Sequence, residues 1–330
     1  MRQPVRGAAL AAGLLVLPLA GAMPARAAPG ELKAAPCSMP LDNEPQDIVE
    51  AIEASGQDDH IFAFVLAPST DYCTPTWDGK ADQEVATDTA VKAKADAVRA
   101  AGGTLSAPFG GYNGIEPPAA CPDATALADA DQQLIDTYQL TPIDLDIEGD
   151  DLGDAPGETN RFDAIKLLRE RDPDLHVTLT LPLTGVGLTE AGTAEIQRAA
   201  DVGAEIDLFQ LVDFDYGGPG EDMANSATSV AEAFHAQLRE LHPELDDATA
   251  CARTGLILMN EHTDQPSELF TQDTFRALLD HAQQKQIGRL SSWSLNRDRA
   301  CTQPGGWVDG GCSSVEQQPY DFAKIIAEYQ

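Results

Sequence analysis

From about residue 39 to the C-terminal end, short apolar runs alternate with stretches whose apolar residues recur every three or four positions. The runs predict strands near Met39–Leu41, Ile61–Ala67, Thr104–Pro108, Ile143–Glu148, His176–Leu181, Ile206–Phe214, Gly255–Met259 and Arg289–Trp293. The longer-period stretches predict helices over Gln46–Ala54, Asp88–Ala101, Ala124–Tyr138, Glu158–Arg171, Glu190–Ala200, Ser226–Leu241, Thr274–Lys285 and Tyr320–Glu328. Strand followed by helix, eight times over, predicts an α/β chain folded as a single-domain (β/α)8 TIM barrel. Runs such as IFAFVLA and VTLTLPL are almost continuously apolar, as parallel strands covered on both faces must be. A doubly wound sheet is the competing arrangement and would want a nucleotide-type glycine loop. The nearest candidate, Gly185-Val186-Gly187, has Glu190 where the third glycine belongs, so an ordinary strand-to-helix turn explains it better.

One strand breaks the apolar rule. In IDLDIEG, Asp144, Asp146 and Glu148 alternate with Ile143, Leu145 and Ile147. Side chains two apart on a strand share a face, so the three acids line one side at steps of about 6.6 Å. In a barrel the apolar set packs on the helices and the acids point inward. Glu148 falls at the carboxyl end, where barrels of this kind build their sites. Crowding and burial predict at least one raised pKa and a carboxyl that still carries its proton near neutral pH. An ordinary strand with its acids in water is the alternative, but a fourth parallel strand has no solvent face.

Residues 1–27 change the picture at the other end. A basic start (MRQPVR), an apolar run too short and too rich in small residues to span a bilayer, and Ala25-Arg26-Ala27 together read as a secretory signal peptide. The mature barrel is then expected over residues 28–330, secreted to the extracellular side. The net charge is −33, and residues 1–27 hold arginines and no acid, so the remainder is more acidic still. Such a surface repels nucleic acid and anionic membranes and favours neutral ligands. All six cysteines lie beyond residue 27, and an even count in an oxidising compartment predicts disulfides. Cys301 and Cys312 bracket a Gly/Pro-rich loop; Cys73 and Cys121 both follow predicted strands; Cys37 and Cys251 remain by elimination. No spacing of Cys or His suits a metal site, and no cofactor is expected.

The acid strand resembles the DGxDxDxE signature of glycoside hydrolase family 18, the chitinase family, with Asp144, Asp146 and Glu148 on its last three acids and Thr141-Pro142 in place of the leading Asp-Gly. APFGGYNG at 107–114, containing Phe109, looks like the family's SFGG-type third strand. LVDFDYGG at 211–218 resembles its sixth-strand pattern, with Asp215 on the family's acid and Tyr216 following, and LSSWSLNRDR at 290–299 resembles the eighth strand with Trp293. The resemblance implies substrate-assisted, retaining hydrolysis of N-acetylglucosamine glycans. Glu148 would be the acid and later the base. Asp146 would hold the acetamide, Asp144 would tune Asp146, and Trp293 would form the floor for the sugar. Gln210 is a further polar candidate. Val212 and Phe214 depart from the family's methionine and tyrosine, so the Phe214 position offers no hydroxyl. Tyr216 is expected to point to the other face, and Asp213 to share a face with Asp215 and enlarge the acidic cluster.

Two other functions fit the same motifs: an endo-β-N-acetylglucosaminidase cutting N-glycan cores, and a catalytically impaired sugar-binding lectin. The connection from Asn260 to Thr274 has no room for the extra domain that deepens the groove in some relatives, which favours an open cleft and internal cleavage. No separate chitin-binding module is expected, so crystalline chitin is expected to be a poor substrate, and a monomer is expected.

Overall fold

The computed structural model describes residues 32–329 apart from Asp154, 218–221 and 304–307. The signal segment read at residues 1–27 lies outside the described residues. Among them, eight parallel strands form the barrel: β1 (Ala34–Ser38), β2 (His60–Phe62 continuing as Val65–Leu66), β3 (Leu105–Ser106 continuing as Pro108–Gly110), β4 (Pro142–Asp146), β5 (His176–Pro182), β6 (Leu208–Val212), β7 (Thr254–Met259) and β8 (Arg289–Trp293). Each pairs with its sequence neighbours, and β8 pairs with β1. The ring closes between β2 and β3 in two short ladders, His60 opposite Leu105 and then Val65 opposite Phe109. The register changes by one residue between them, as a bulge in β2 does. Phe64 sits in that extra length and turns into the mouth of the barrel.

Helices follow the strands as α1 (Ile48–Ser55), α2 (Thr89–Ala101), α3 (Ala124–Tyr138), α4 (Ala155–Arg171), α5 (Glu190–Val202), α6 (Met223–Leu241), α7 (Gln272–Lys285) and α8 (Asp321–Ile326). Part of the acid excess works locally here. Asp47, Asp88, Asp123 and Asp222 each cap a helix by accepting from its first backbone N–H groups, which suits both the unpaired donors and the helix dipole. The core lies between strands and helices. Ile143, Leu145 and Ile147 of the acid strand face outward into it beside Leu134, Phe162 and Ile165.

The first strand corrects the expectation. It runs over Ala34–Ser38 rather than Met39–Leu41, because small residues around Pro36 build it and carry little of the branched, bulky signature of a strand. The barrel interior is also more polar than an all-aliphatic filling: Ser106, Thr178, Thr180, Gln210, Arg289 and Ser291 are all buried.

Cys73 is bonded to Cys121, tying the segment after β2 to the segment after β3, and Cys301 is bonded to Cys312. Cys37 and Cys251 are both free, contrary to the pairing by elimination. Cys37 is in β1 and lines the mouth of the barrel, whereas Cys251 lies in the short helix Asp247–Ala252 that enters β7 from the opposite end. The strands hold the two thiols apart.

Candidate active site

The register of β4 decides which side chains meet. Asp144 stands beside Pro108 and Thr178, and Asp146 beside Gly110 and Thr180. Both acids point into the barrel and are 2% and 6% exposed. Asp144 is held from two sides: Thr180 Oγ1 donates to its Oδ1 at 2.7 Å, and Gln210 Nε2 donates to its Oδ2 at 3.3 Å. Gln210 is oriented in turn by Arg289, whose Nη1 donates to Gln210 Oε1 at 3.2 Å while its Nε bonds Leu32 O. Asp146 differs. Its Oδ1 is buried with no hydrogen-bond partner among the described residues, although the residue itself borders open space.

Strand pairing ends at Asp146, two residues earlier than the sequence pattern suggests, yet Glu148 keeps an extended backbone and the inward alternation continues to it. Gly149 then turns the chain with φ +56, where a Cβ would lie 3.0 Å from Tyr112 O. Glu148 is partly exposed at the mouth of the site.

The three carboxyls are all pushed up, and burial is the largest cause for each. Glu148 rises to about 7, with Asp215 adding its negative charge. Asp146 rises well above the carboxylate range, further raised by Glu148, Asp144 and Glu116. Asp144 is raised to about 6, opposed by Arg289 and the Thr180 hydroxyl. Groups this close release protons as a set. The set therefore keeps at least one transferable proton near neutral pH, on carboxyls that open space can reach.

That space is a cleft of about 900 Å³ at the carboxyl ends of the strands, lined by Asp144, Asp146, Glu148, Gln210, Asp215 and Trp293 among others. β8 lies opposite β4 in the eight-strand ring, so Trp293 faces the acids across the cleft. Its ring leans on Phe64 with centroids 5.1 Å apart and planes tilted by 36°. Phe214, Val212 and Met259 continue an apolar wall. An aromatic floor opposite buried acids suits a ring with an apolar C–H face and hydrogen-bonding edges.

Two of the five residues that the family resemblance makes candidates for substrate contact (Trp293, Asp215, Tyr216, Phe109 and Gln210) are not in the cleft. Phe109 pairs with Leu145 in the outward-facing set and is buried in the core; its neighbours Pro108 and Gly110 are the inward ones. Tyr216 does not line the cleft either, and its hydroxyl donates to Asp213 Oδ1. Asp213 was expected to join the acidic cluster. It is instead fully buried away from the cleft and pushed up to about 8 by burial, against the Tyr216 hydroxyl. The alternation fails there because Asp215 has φ +60, and its backbone N–H donates to Glu268 Oε2 at 2.8 Å. Asp215 itself does line the cleft.

Several lining or supporting residues carried no motif. Thr180 was legible as an inward position of VTLTLPL. Arg289, Phe64, Tyr112 and the Lys80–Asp42 pair, 2.6 Å apart at the cleft's rim, gave no signal of their own. Among the described residues, no group of three or more His, Cys, Asp or Glu side chains is placed to hold a metal ion.

No protein-family model matches the chain. It is 28% identical over 284 residues to a probable bifunctional chitinase/lysozyme of Escherichia coli, covering 81% of this chain and 31% of that protein. It is 29% identical over 218 residues to endochitinase 11 of Metarhizium anisopliae, covering 62% of this chain and 42% of that one. The chain thus spans less than half the length of either relative. Among solved structures, the catalytic domain of a hyperthermophilic chitinase from Pyrococcus furiosus superposes with a TM-score of 0.81 at 25% identity, over 92% of this chain and 97% of that domain. Catalytic-site mutants of active domain 2 of the thermostable chitinase from the same organism, complexed with chito-oligosaccharides, superpose with a TM-score of 0.80. The likeness to family 18 chitinase domains therefore extends from the four motifs to nearly the whole barrel.

Proposed function

We propose that this chain is a secreted, endo-acting, retaining glycoside hydrolase that cleaves β-1,4-linked N-acetylglucosamine glycans with the help of the substrate's own acetamide. The observation that carries the reading is the pairing of Glu148, raised to about 7 at the mouth of the site, with Asp146, a cleft-lining residue whose buried Oδ1 has no donor among the described residues. A proton on Glu148 passes to the glycosidic oxygen as its bond to the anomeric carbon breaks. The acetamide carbonyl oxygen attacks that carbon from the opposite side and closes an oxazolinium ring. Asp146 Oδ1 accepts the acetamide N–H, turning the carbonyl toward the anomeric carbon, and its negative charge stabilises the cation. Asp144 shares its proton load with Asp146, within the frame set by Thr180 and Gln210. Glu148, now ionised, takes a proton from water as the water opens the ring, and two inversions leave the β-configuration retained. Trp293 supplies the apolar floor.

The connection between β7 and α7 is a short hairpin, Glu261–His262 with Leu269–Phe270, with no added domain among the described residues, and this supports an open cleft and internal cleavage. Residues 1–27 and the two disulfides support export. Incubation with chito-oligosaccharides, following products and their anomers by NMR, tests the reading: β-anomers should appear first, and a thiazoline mimic of the oxazolinium should inhibit. The apolar Val212–Phe214 wall favours a second reading, a sugar-binding protein without turnover. Binding of chito-oligosaccharides with no cleavage would select it.

A further inference from the structure

Behind the acid strand lies a group of buried charges that the proton chemistry above leaves unused. Glu116 follows β3, Arg161 belongs to α4 and Glu195 to α5, and they are 1%, 3% and 0% exposed. Arg161 Nη2 donates to Glu116 Oε2, and Arg161 Nη1 lies 3.6 Å from Glu195 Oε2. Glu195 Oε1 accepts from Gly153 N at 3.4 Å. One guanidinium thus joins the elements that follow β3, β4 and β5. The middle element is α4, and the Gly149–Gly153 turn that leads to it from Glu148 is tied in through Glu195.

Glu116 also reaches the back of the acid strand. Gly110 has φ +110 and packs so closely that a Cβ there would lie 2.1 Å from Asp146 O and 2.9 Å from Glu116 Oε1. Only a glycine leaves room for that approach. Glu116 Oε1 is buried with no hydrogen-bond partner among the described residues. The charged groups acting on Glu116 are Arg161, Asp151 and Glu148, and Glu116 acts in turn on Asp146. Burying charges costs solvation that apolar residues of similar size would not cost. The set is therefore a poor device for stability alone, and its location beside the reacting acids gives it another use.

We propose that Glu116 is a positioning residue of this site: held by Arg161, it presents a negative charge to the back of Asp146 and sets the pH range over which the acids of β4 work. The proposal rests on the hydrolase reading for its consequence in turnover, but not for its electrostatics. Burial pushes Glu116 itself up to about 7 against the pull of Arg161, so it gains its charge in the same range as Glu148.

Glu116→Gln keeps the shape and the Arg161 contact while removing the charge. The carboxyl resonances of Asp146 and Glu148, followed by NMR against pH, should titrate lower by about 1–2 units, the size expected of one unit charge about 6–10 Å away at an effective dielectric of about 20. The alkaline limb of kcat/KM on chito-oligosaccharides should move down with them. Glu195→Gln, which shares Arg161 but does not act on the trio, should lower the melting temperature and leave both titrations in place. Unmoved titrations in Glu116→Gln would overturn the proposal, whatever happens to its stability. If that variant does not fold, the wild type decides: the Asp146 and Glu148 carboxyl resonances should show a second inflection as Glu116 ionises, and its absence would overturn the proposal. An inactive wild type whose carboxyls still shift would refute the hydrolase reading and leave this one standing.

Discussion

Thr180 donates its hydroxyl hydrogen to Asp144 Oδ1 at 2.7 Å, and through that bond the neighbouring strand decides how readily the innermost acid ionises. Hydrogen bonds to the charged form of a carboxyl lower its pKa, and the Thr180 bond opposes the rise that burial imposes on Asp144.

Thr180→Val should therefore raise Asp144 further and move the acid limb of the pH–rate profile upward. Losing a hydrogen bond to a charged group should also cost about 1.5–3 kcal/mol of stability. Thr180→Ser should restore both. A profile unchanged in Thr180→Val would mean that Asp144 does not take part in the titration that governs turnover.

The cysteines allow a count. With Cys73–Cys121 and Cys301–Cys312 bonded and Cys37 and Cys251 free, the denatured, unreduced protein should release two titratable thiols. Non-reducing peptide mapping should place them at Cys37 and Cys251. Replacing Cys301 and Cys312 by serine should cost about 2–3 kcal/mol for so short a loop, read from denaturant unfolding.

Much of this was legible in the chain, and the exceptions have physical causes. The acids of β4 announced themselves because period-two alternation survives wherever a strand is straight. The same rule failed at Asp213, since a left-handed residue at Asp215 ends it. It succeeded unused at Phe109, whose alternation with Pro108 and Gly110 already placed it outward. β1 was hidden by its small residues. The Glu116–Arg161–Glu195 group joins three elements spread over 80 residues, and no local pattern encodes such a meeting.

Stability should fall as pH rises from about 4 toward 8. Asp213 is raised to about 8, Glu148 to about 7 and Asp298 to about 6, and Asp131 is raised well above its usual range, burial being the first cause for each. An acid with a raised pKa holds more protons folded than unfolded between its two pKa values. Its contribution is full below the unfolded value of about 4 and is lost as pH climbs through the folded one. Repulsion within a chain of net charge −33 acts in the same direction. The melting temperature should be higher at pH 5 than at pH 8; a flat or rising trend would contradict the burial of these acids.

The role of Glu148 is open to the most direct measurement. Glu148→Gln keeps the size and most hydrogen bonding of the side chain but has no proton to give a leaving oxygen. General acid help is worth about 10²–10⁴ in rate. Turnover of a chito-oligosaccharide should therefore fall at least about 10²-fold in this variant, while calorimetry shows its binding preserved. Turnover within a few-fold of wild type, with binding equally intact, would contradict the assignment of Glu148 as the acid.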